Sequence, residues 1–193
     1  MDTHHYFKLY KPYGYISQFI TNDKHARRKK FLGTLYDFPE GTMAVGRLDE
    51  NSEGLLLLTT DGGFSHNISK GKKVEKEYYV QVDGMITSDA IKMLQQGLEI
   101  SINGKNYQTK PCKATMIETP SIPPTSQRIR DDRHGPTSWI ALILKEGKFR
   151  QVRKMTAAVG FPTLRLVRVR IGSYTIENME CGSVKKITPT NFL

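Results

Sequence analysis

The chain has 193 residues, 38% hydrophobic and 25% charged, with a formal net charge of +10 at pH 7. That describes an ordinary soluble globular protein, long enough for one domain or for two small lobes sharing a core. The cationic excess points to a polyanionic partner, nucleic acid first and an anionic membrane surface second. Two cysteines, Cys112 and Cys181, exclude a disulfide framework and a zinc site. The segment from Met1 to Lys8 lacks the apolar core of a signal peptide, and no apolar run approaches the ~20 residues that cross a bilayer. A cytoplasmic protein is expected.

In chain order, Tyr6 to Tyr10 alternates as a strand, Lys11-Pro12-Tyr13-Gly14 marks a fixed turn, and Tyr15 to Phe19 resumes as a strand. The basic run Lys24 to Lys30 is either a solvated face or a phosphate-contacting loop. Thr34 to Phe38 makes a short helical turn. Met43 to Val45 and Leu55 to Thr60 read as short buried strands, the second stopping at Asp61-Gly62. Between them Arg47, Asp49, Glu50 and Glu53 concentrate one cation and three carboxylates on a loop held at both ends. Taken alone, that loop could equally be a solvated connection in which Asn51 or Ser52 caps a helical turn.

Phe64 to Ile68 reads as a short helix, and Ser69 to Lys73 as a second basic turn. Glu77 to Val82 is a strand. Ser88 to Gln96, with Ile91, Met93 and Leu94 at helical spacing, is a helix that Thr87 or Ser88 starts and Gly97 stops. Leu98 to Ile102 with Asn103-Gly104 predicts a hairpin. Lys110 to Glu118 is another strand. Residues 119–138, with Pro120, Pro123, Pro124 and Pro136, form a mobile, solvated loop; its Arg128, Arg130, Arg133 and His134 are possible RNA contacts diluted by Asp131 and Asp132. Trp139 to Leu144 is a strand and Phe149 to Val159 a helix. Leu164 to Ile171 is a strand with one basic face made of Arg165, Arg168 and Arg170, and a short pair of strands lies around Ile176 and Val184. From Glu77 onward this order is the split βαβ of a ferredoxin-like domain, an α+β fold with helices on a mainly antiparallel sheet.

Gly46-Arg47-Leu48-Asp49, followed by Ser52-Glu53-Gly54 with Leu55 to Thr59 and then Asp61-Gly62, resembles the signature of the RsuA-type pseudouridine synthases, whose members isomerise single uridines in RNA. Lys11-Pro12-Tyr13-Gly14 resembles the tetrapeptide near the start of that catalytic domain. The resemblance makes Asp49 the catalytic carboxylate. Lys76-Glu77-Tyr78-Tyr79-Val80 matches the motif whose Tyr, here Tyr78, lies against the target base. Glu146 to Met155 resembles the third motif, in which Arg153 pairs with the catalytic Asp. Arg47 is then a candidate for filling the vacated space or holding the flipped backbone, the alternative being a structural salt bridge to Glu50 or Glu53, and Leu166, on the closing strand, for lining the pocket. Lys76, Lys148 and Arg150, from the same motifs, are expected to bind substrate.

The fold implied is the pseudouridine synthase fold: one catalytic domain over residues 1–193, of two lobes sharing a sheet, without the S4 module of many relatives. That resembles the short RluE-type branch and implies 23S ribosomal RNA as partner, through a single-stranded or loop uridine, with no membrane and no obligate protein partner. The reaction needs no cofactor, because it exchanges neither atoms nor electrons with a second substrate, and no metal-ligand spacing occurs in the sequence. Two other readings remain open at this stage: an inactive RNA-binding or ribosome-assembly factor, and a synthase directed at tRNA.

Overall fold

The computed structural model of the chain describes residues 4–20, 29–70 and 74–189. In chain order the elements are β1 (Tyr6–Lys11), β2 (Tyr15–Ile16), β3 (Lys30–Phe31), β4 (Met43–Val45), β5 (Glu53–Thr59), α1 (Gly62–Lys70), β6 (Lys76–Asp83) and α2 (Ser88–Gln96). There follow β7 (Glu99–Ile102), β8 (Lys105–Gln108), β9 (Lys113–Ile117), β10 (Thr137–Leu144), α3 (Gln151–Ala158), β11 (Thr163–Ile171), β12 (Tyr174–Thr175) and β13 (Val184–Lys186). They fall into two compact units. The first takes the described residues up to Val74, with Pro123–Gln127 and those from Arg170 onward; the second takes Glu75–Ile122 and Arg128–Val169. Of the basic run Lys24 to Lys30 and the basic turn Ser69 to Lys73, residues 24–28 and 71–73 lie outside the described residues.

In the first unit β1 is paired antiparallel with β5, from Tyr6↔Thr59 to Lys11↔Gly54, and with β13, from Phe7↔Lys186 to Leu9↔Val184. All residues of β5 are buried, as a continuous apolar run demands of a strand covered on both faces. Phe7, Leu9, Leu32, Leu56 and Leu58 form the core, and Phe38 packs edge-on against both Phe7 and Phe19. β4 pairs with β5, but only Val45 of it is buried and Met43 is 39% exposed, so the expected buried strand there is an edge. The strand expected over Tyr15 to Phe19 stops at Ile16, and the helical turn expected at Thr34 falls earlier, as a 3-10 turn at Leu32–Thr34. The two tail strands do not pair with each other. β12 pairs with the end of β11 and β13 with β1, because a turn closed by Met179 N–H on the Ile176 carbonyl separates them.

In the second unit the strand order is β11-β6-β10-β9, with β10 antiparallel to both its neighbours. Strand β6, helix α2 and strand β9, then β10, α3 and β11, make the ferredoxin-like arrangement, and the β7–β8 hairpin is an insertion between α2 and β9. Asn103 and Gly104 turn the hairpin at φ of 50° and 76°. Thr87 caps α2 by accepting from the Ala90 amide. Gly97 ends it at φ 81°, where an added Cβ would come within 2.4 Å of the Thr109 carbonyl oxygen. Ile91 and Leu94 face the core, while Met93, off that face, is 49% exposed. Tyr78, Val80 and Val82 of β6, Ile140, Leu142 and Leu144 of β10, Val152 and Met155 of α3, and Leu166 of β11 belong to one core cluster. Arg130 pairs with Asp83 at the end of β6 and donates to the Gly135 carbonyl, which ties residues 130–135 to the end of that strand.

Candidate active site

Asp49 and Arg47 lie in the first unit; Lys76, Tyr78, Lys148, Arg150, Arg153 and Leu166 lie in the second. The loop bearing Asp49 is held by the turn that opens the chain. The Ser17 hydroxyl accepts from the Leu48 amide at 2.9 Å and donates to the Leu48 carbonyl at 2.8 Å. The Glu50 carbonyl accepts from the Gly14 amide at 2.8 Å. Lys11, fully buried, directs its ammonium at the carbonyls of Pro12 (2.9 Å), Tyr15 (2.6 Å) and Glu50 (3.4 Å). Gly14 takes φ 82° to complete the turn. The Lys-Pro-x-Gly tetrapeptide is therefore a clamp on the peptides flanking Asp49.

No helical turn forms there. Ser52 donates its amide to the Asp49 carbonyl at 3.0 Å, and its buried hydroxyl has no hydrogen-bond partner among the described residues, so it caps nothing. Asp49 itself is half-buried and Arg47 is exposed. The bland reading of Arg47, an ion pair to Glu50 or Glu53, is not what forms: the Glu50 carboxylate pairs with Lys29, and Glu53 is fully buried at the start of β5.

In the second unit, period-two geometry places Lys76 and Tyr78 on one face of β6, and Leu166 and Arg168 on one face of β11. The two strands are neighbours, and Tyr78 and Leu166 meet in the same core cluster. Arg168 is 4% exposed. Burial pushes its pKa down from the ordinary arginine value, and the contact with Tyr78 opposes that. Lys76 is likewise lowered, first by burial and then by the adjacent Arg168. The expected single basic face on β11 is thus a misreading. Arg165 and Arg168 are three residues apart, project from opposite faces and are both buried; only Arg170 shares a face with Arg168. Charge suggested exposure where strand phase does not allow it. Counting by twos from Leu166 would have singled out Arg168.

The third motif is built round Glu146. Its carboxylate accepts from the Tyr107 hydroxyl at 2.6 Å, the Lys110 amide at 3.0 Å and the Gln151 amide group at 2.6 Å. Burial raises its pKa, but those donors outweigh burial and hold it below the ordinary glutamate range; the same bond pushes Tyr107 up to about 12. Gln151, 3% exposed, also accepts from the Lys148 amide at 3.0 Å. Lys148 is exposed, with its ammonium 4.7 Å from the Tyr107 ring centroid. Arg150 precedes α3 in the left-handed region at φ 53°. Arg153, in the first turn of α3, donates to the Thr163 carbonyl at 3.5 Å. Helix α3 starts at Gln151, two residues later than Phe149, because the Lys148–Gln151 turn occupies those positions. Sequence reading missed Ser17 and Arg168, and did not see Glu146 as a hub, since its partner Tyr107 lies 39 residues away.

Among the described residues no cluster of His, Cys, Asp and Glu could hold a metal ion, and no helix is long and apolar enough to cross a membrane. A sequence model of the RNA pseudouridylate synthase family matches residues 5–158. A protein of Vibrio parahaemolyticus named ribosomal large subunit pseudouridine synthase E is 40% identical over 92% of this chain and 71% of its own. One of the same name from Xanthomonas axonopodis pv. citri is 39% identical over 88% of this chain and 86% of its own. Among solved structures, a crystal structure of pseudouridylate synthase superposes with a TM-score of 0.74 at 29% identity, over 97% of this chain and 72% of that one.

Proposed function

The chain belongs to the RNA pseudouridylate synthase family, and on that premise we propose that it isomerises a specific uridine of 23S ribosomal RNA, with Asp49 as the attacking carboxylate on a flipped-out nucleotide. The family match carries the reading, because residues 5–158 include Asp49, Tyr78 and Arg153. The choice of large-subunit RNA follows the names of the relatives in Vibrio and Xanthomonas.

The chemistry is self-contained. The bond from N1 of the base to C1′ of the ribose breaks, C5 takes its place on C1′, the C5 proton leaves and N1 gains one. Asp49 attacks C1′ of the ribose or C6 of the base, and a base then removes the C5 proton. A stacked uridine is out of reach of any side chain, so it must leave the stack, at a cost of a few kcal/mol. Tyr78 stacking on the extruded base offsets about 1–3 kcal/mol of that cost. Arg153 serves as counter-ion to Asp49, Arg47 fills the vacated position, Leu166 lines the base, and Lys76, Lys148 and Arg150 contact phosphates. The clamp on Leu48 and Glu50 supports the role of Asp49, since a nucleophile must be held close to its reacting position.

Pseudouridine mapping of ribosomal RNA after incubation with wild-type protein and with Asp49→Asn tests this. The wild type should mark one position in 23S RNA. The variant should bind the same RNA and leave no pseudouridine. Product from Asp49→Asn would remove Asp49 from its role. Binding without product from the wild type would favour an RNA-binding factor, and product in tRNA alone would move the target.

A further inference from the structure

We propose that Phe149 is a stacking platform for a second unpaired base of the RNA, distinct from the target uridine, with the ammonium groups of Lys148 and Lys154 on the adjoining phosphates. The proposal rests on the functional reading above and adds an aromatic contact that no motif assigns.

Phe149 and Arg150 are the two central residues of a turn. The Gln151 amide donates to the Lys148 carbonyl at 3.1 Å, and the Lys148 amide donates to the Gln151 side-chain oxygen at 3.0 Å. Gln151 is buried, and its side-chain amide donates to the Glu146 carboxylate at 2.6 Å. The turn is thus fastened from beneath and its tip stands out. Phe149 is 60% exposed, and a ring that open cannot be covered on both faces. Lys154, in the first turn of α3, places its ammonium 5.3 Å from the Phe149 ring centroid and donates to the Ser101 carbonyl of β7 at 2.7 Å. The Lys148 ammonium stands 4.7 Å from the Tyr107 ring centroid. Neither ammonium pairs with a carboxylate among the described residues.

A single exposed phenylalanine is ordinary by itself. This one takes no part in the core cluster to which Val152 and Met155 belong, so packing does not account for it. Its neighbours give it a use. An open aromatic face beside two cations without carboxylate partners matches the alternation of base and phosphate along a single strand, whereas a duplex hides its base faces. The fastened turn already holds the ring, so little ordering is left to be lost on binding. Stacking tolerates any base, and the platform therefore adds affinity for unpaired RNA without choosing a sequence.

The test is fluorescence anisotropy of a labelled oligouridylate of about twelve nucleotides, and of an RNA duplex of the same length, with the full chain. Wild type, Phe149→Ala, Phe149→Leu, Phe149→Trp and Lys154→Gln are compared across salt concentrations, with melting temperatures and sedimentation alongside. Phe149→Ala should weaken oligouridylate binding about tenfold, as one lost base–aromatic stack would, and leave the slope of log K against log salt unchanged. Phe149→Leu, apolar but without a π face, should lose nearly as much. Phe149→Trp should keep the affinity and add a fluorescence quench on binding beyond any from the buried Trp139. Lys154→Gln should reduce the salt slope by about 0.7. Duplex binding should hardly respond to changes at Phe149.

Wild-type affinity in Phe149→Ala overturns the proposal. So does an equal loss on the duplex, or full affinity in Phe149→Leu, which would make the contact merely apolar. A change of oligomeric state in Phe149→Ala would give the ring to a second copy of the chain and overturn it too. Should Phe149→Ala melt lower than the wild type, Phe149→Leu and the Phe149→Trp quench carry the comparison. The assay needs no product. If the wild type binds through Phe149 and makes no pseudouridine, the functional reading fails and the platform stands; if it makes pseudouridine and Phe149→Ala binds normally, only the platform fails.

Discussion

Residues 48–50, around Asp49, and residues 146–151, before Arg153, are both short polar connections pinned at several points, yet the pins differ in kind. The first is gripped by a hydroxyl, a backbone amide and an ammonium, donors that keep their protons in acid. The second is gathered on a single carboxylate, Glu146, which gives up its charge when the pH falls. A loop gripped by fixed donors keeps its shape over a wide pH range. A loop gathered on one carboxylate is only as firm as that group's ionisation, so the two segments should come apart under different insults.

Removing the ammonium strikes the first loop hardest. Lys11→Met leaves three carbonyls short of a charged donor and should destabilise the first unit by about 2–3 kcal/mol. Denaturant unfolding measures that loss, and pseudouridine formation should fall even where the variant is folded. Ser17→Ala is the finer cut. It removes both bonds to Leu48 at about 1–2 kcal/mol, and should lower kcat with little change in KM because it loosens one flank of Asp49 only. If Ser17→Ala lost stability and kept full kcat, the clamp would be serving the fold rather than the proposed role of Asp49.

How much of this could be read beforehand depended on how local each cause was. Strand β5 is declared by its own apolar run, and α2 by Thr87 and Gly97 at its ends, so both were legible from neighbouring residues. The proposal of Asp49 came from the wording of its motif. Lys11 was named but understood only as part of a turn, since lysines are almost never fully buried and nothing local says that one of its acceptors, the Glu50 carbonyl, lies on a loop 39 positions away. Arg168 was obscured by counting charges rather than strand phase. Glu146 was hidden because two of its donors, Tyr107 and Lys110, come from around the β7–β8 insertion, and a hairpin does not announce what it will touch.

The carboxylate hub gives the comparison its pH test. Glu146 lies below its ordinary 4.5 in the folded chain, so its contribution is fully present above that value and is lost as pH falls through the lower folded value. Glu146→Gln should cost about 1–2 kcal/mol at pH 7, and it should flatten the decline of stability below pH 4.5. Amide exchange followed through the same range should show residues 146–151 opening before residues 48–50. If both segments opened together, the contrast between their pins would be without consequence.

The smallest effect is the most telling about Arg150. Among the described residues, the other positive-φ positions are glycines or asparagines, and Arg150 stands alone in that region as a long side chain. A left-handed conformation costs an L-residue about 1–2 kcal/mol. Arg150→Gly removes that strain but adds about 0.4–1 kcal/mol of unfolded-chain entropy, so stability should stay level or rise slightly. Nothing in the backbone therefore asks for arginine at this position. If its charge meets a phosphate, as proposed above, Arg150→Gly should weaken RNA binding and reduce the slope of log K against log salt by about 0.7, one phosphate's worth on a single strand. A variant of unchanged melting temperature and unchanged salt slope would take Arg150 out of the RNA contact.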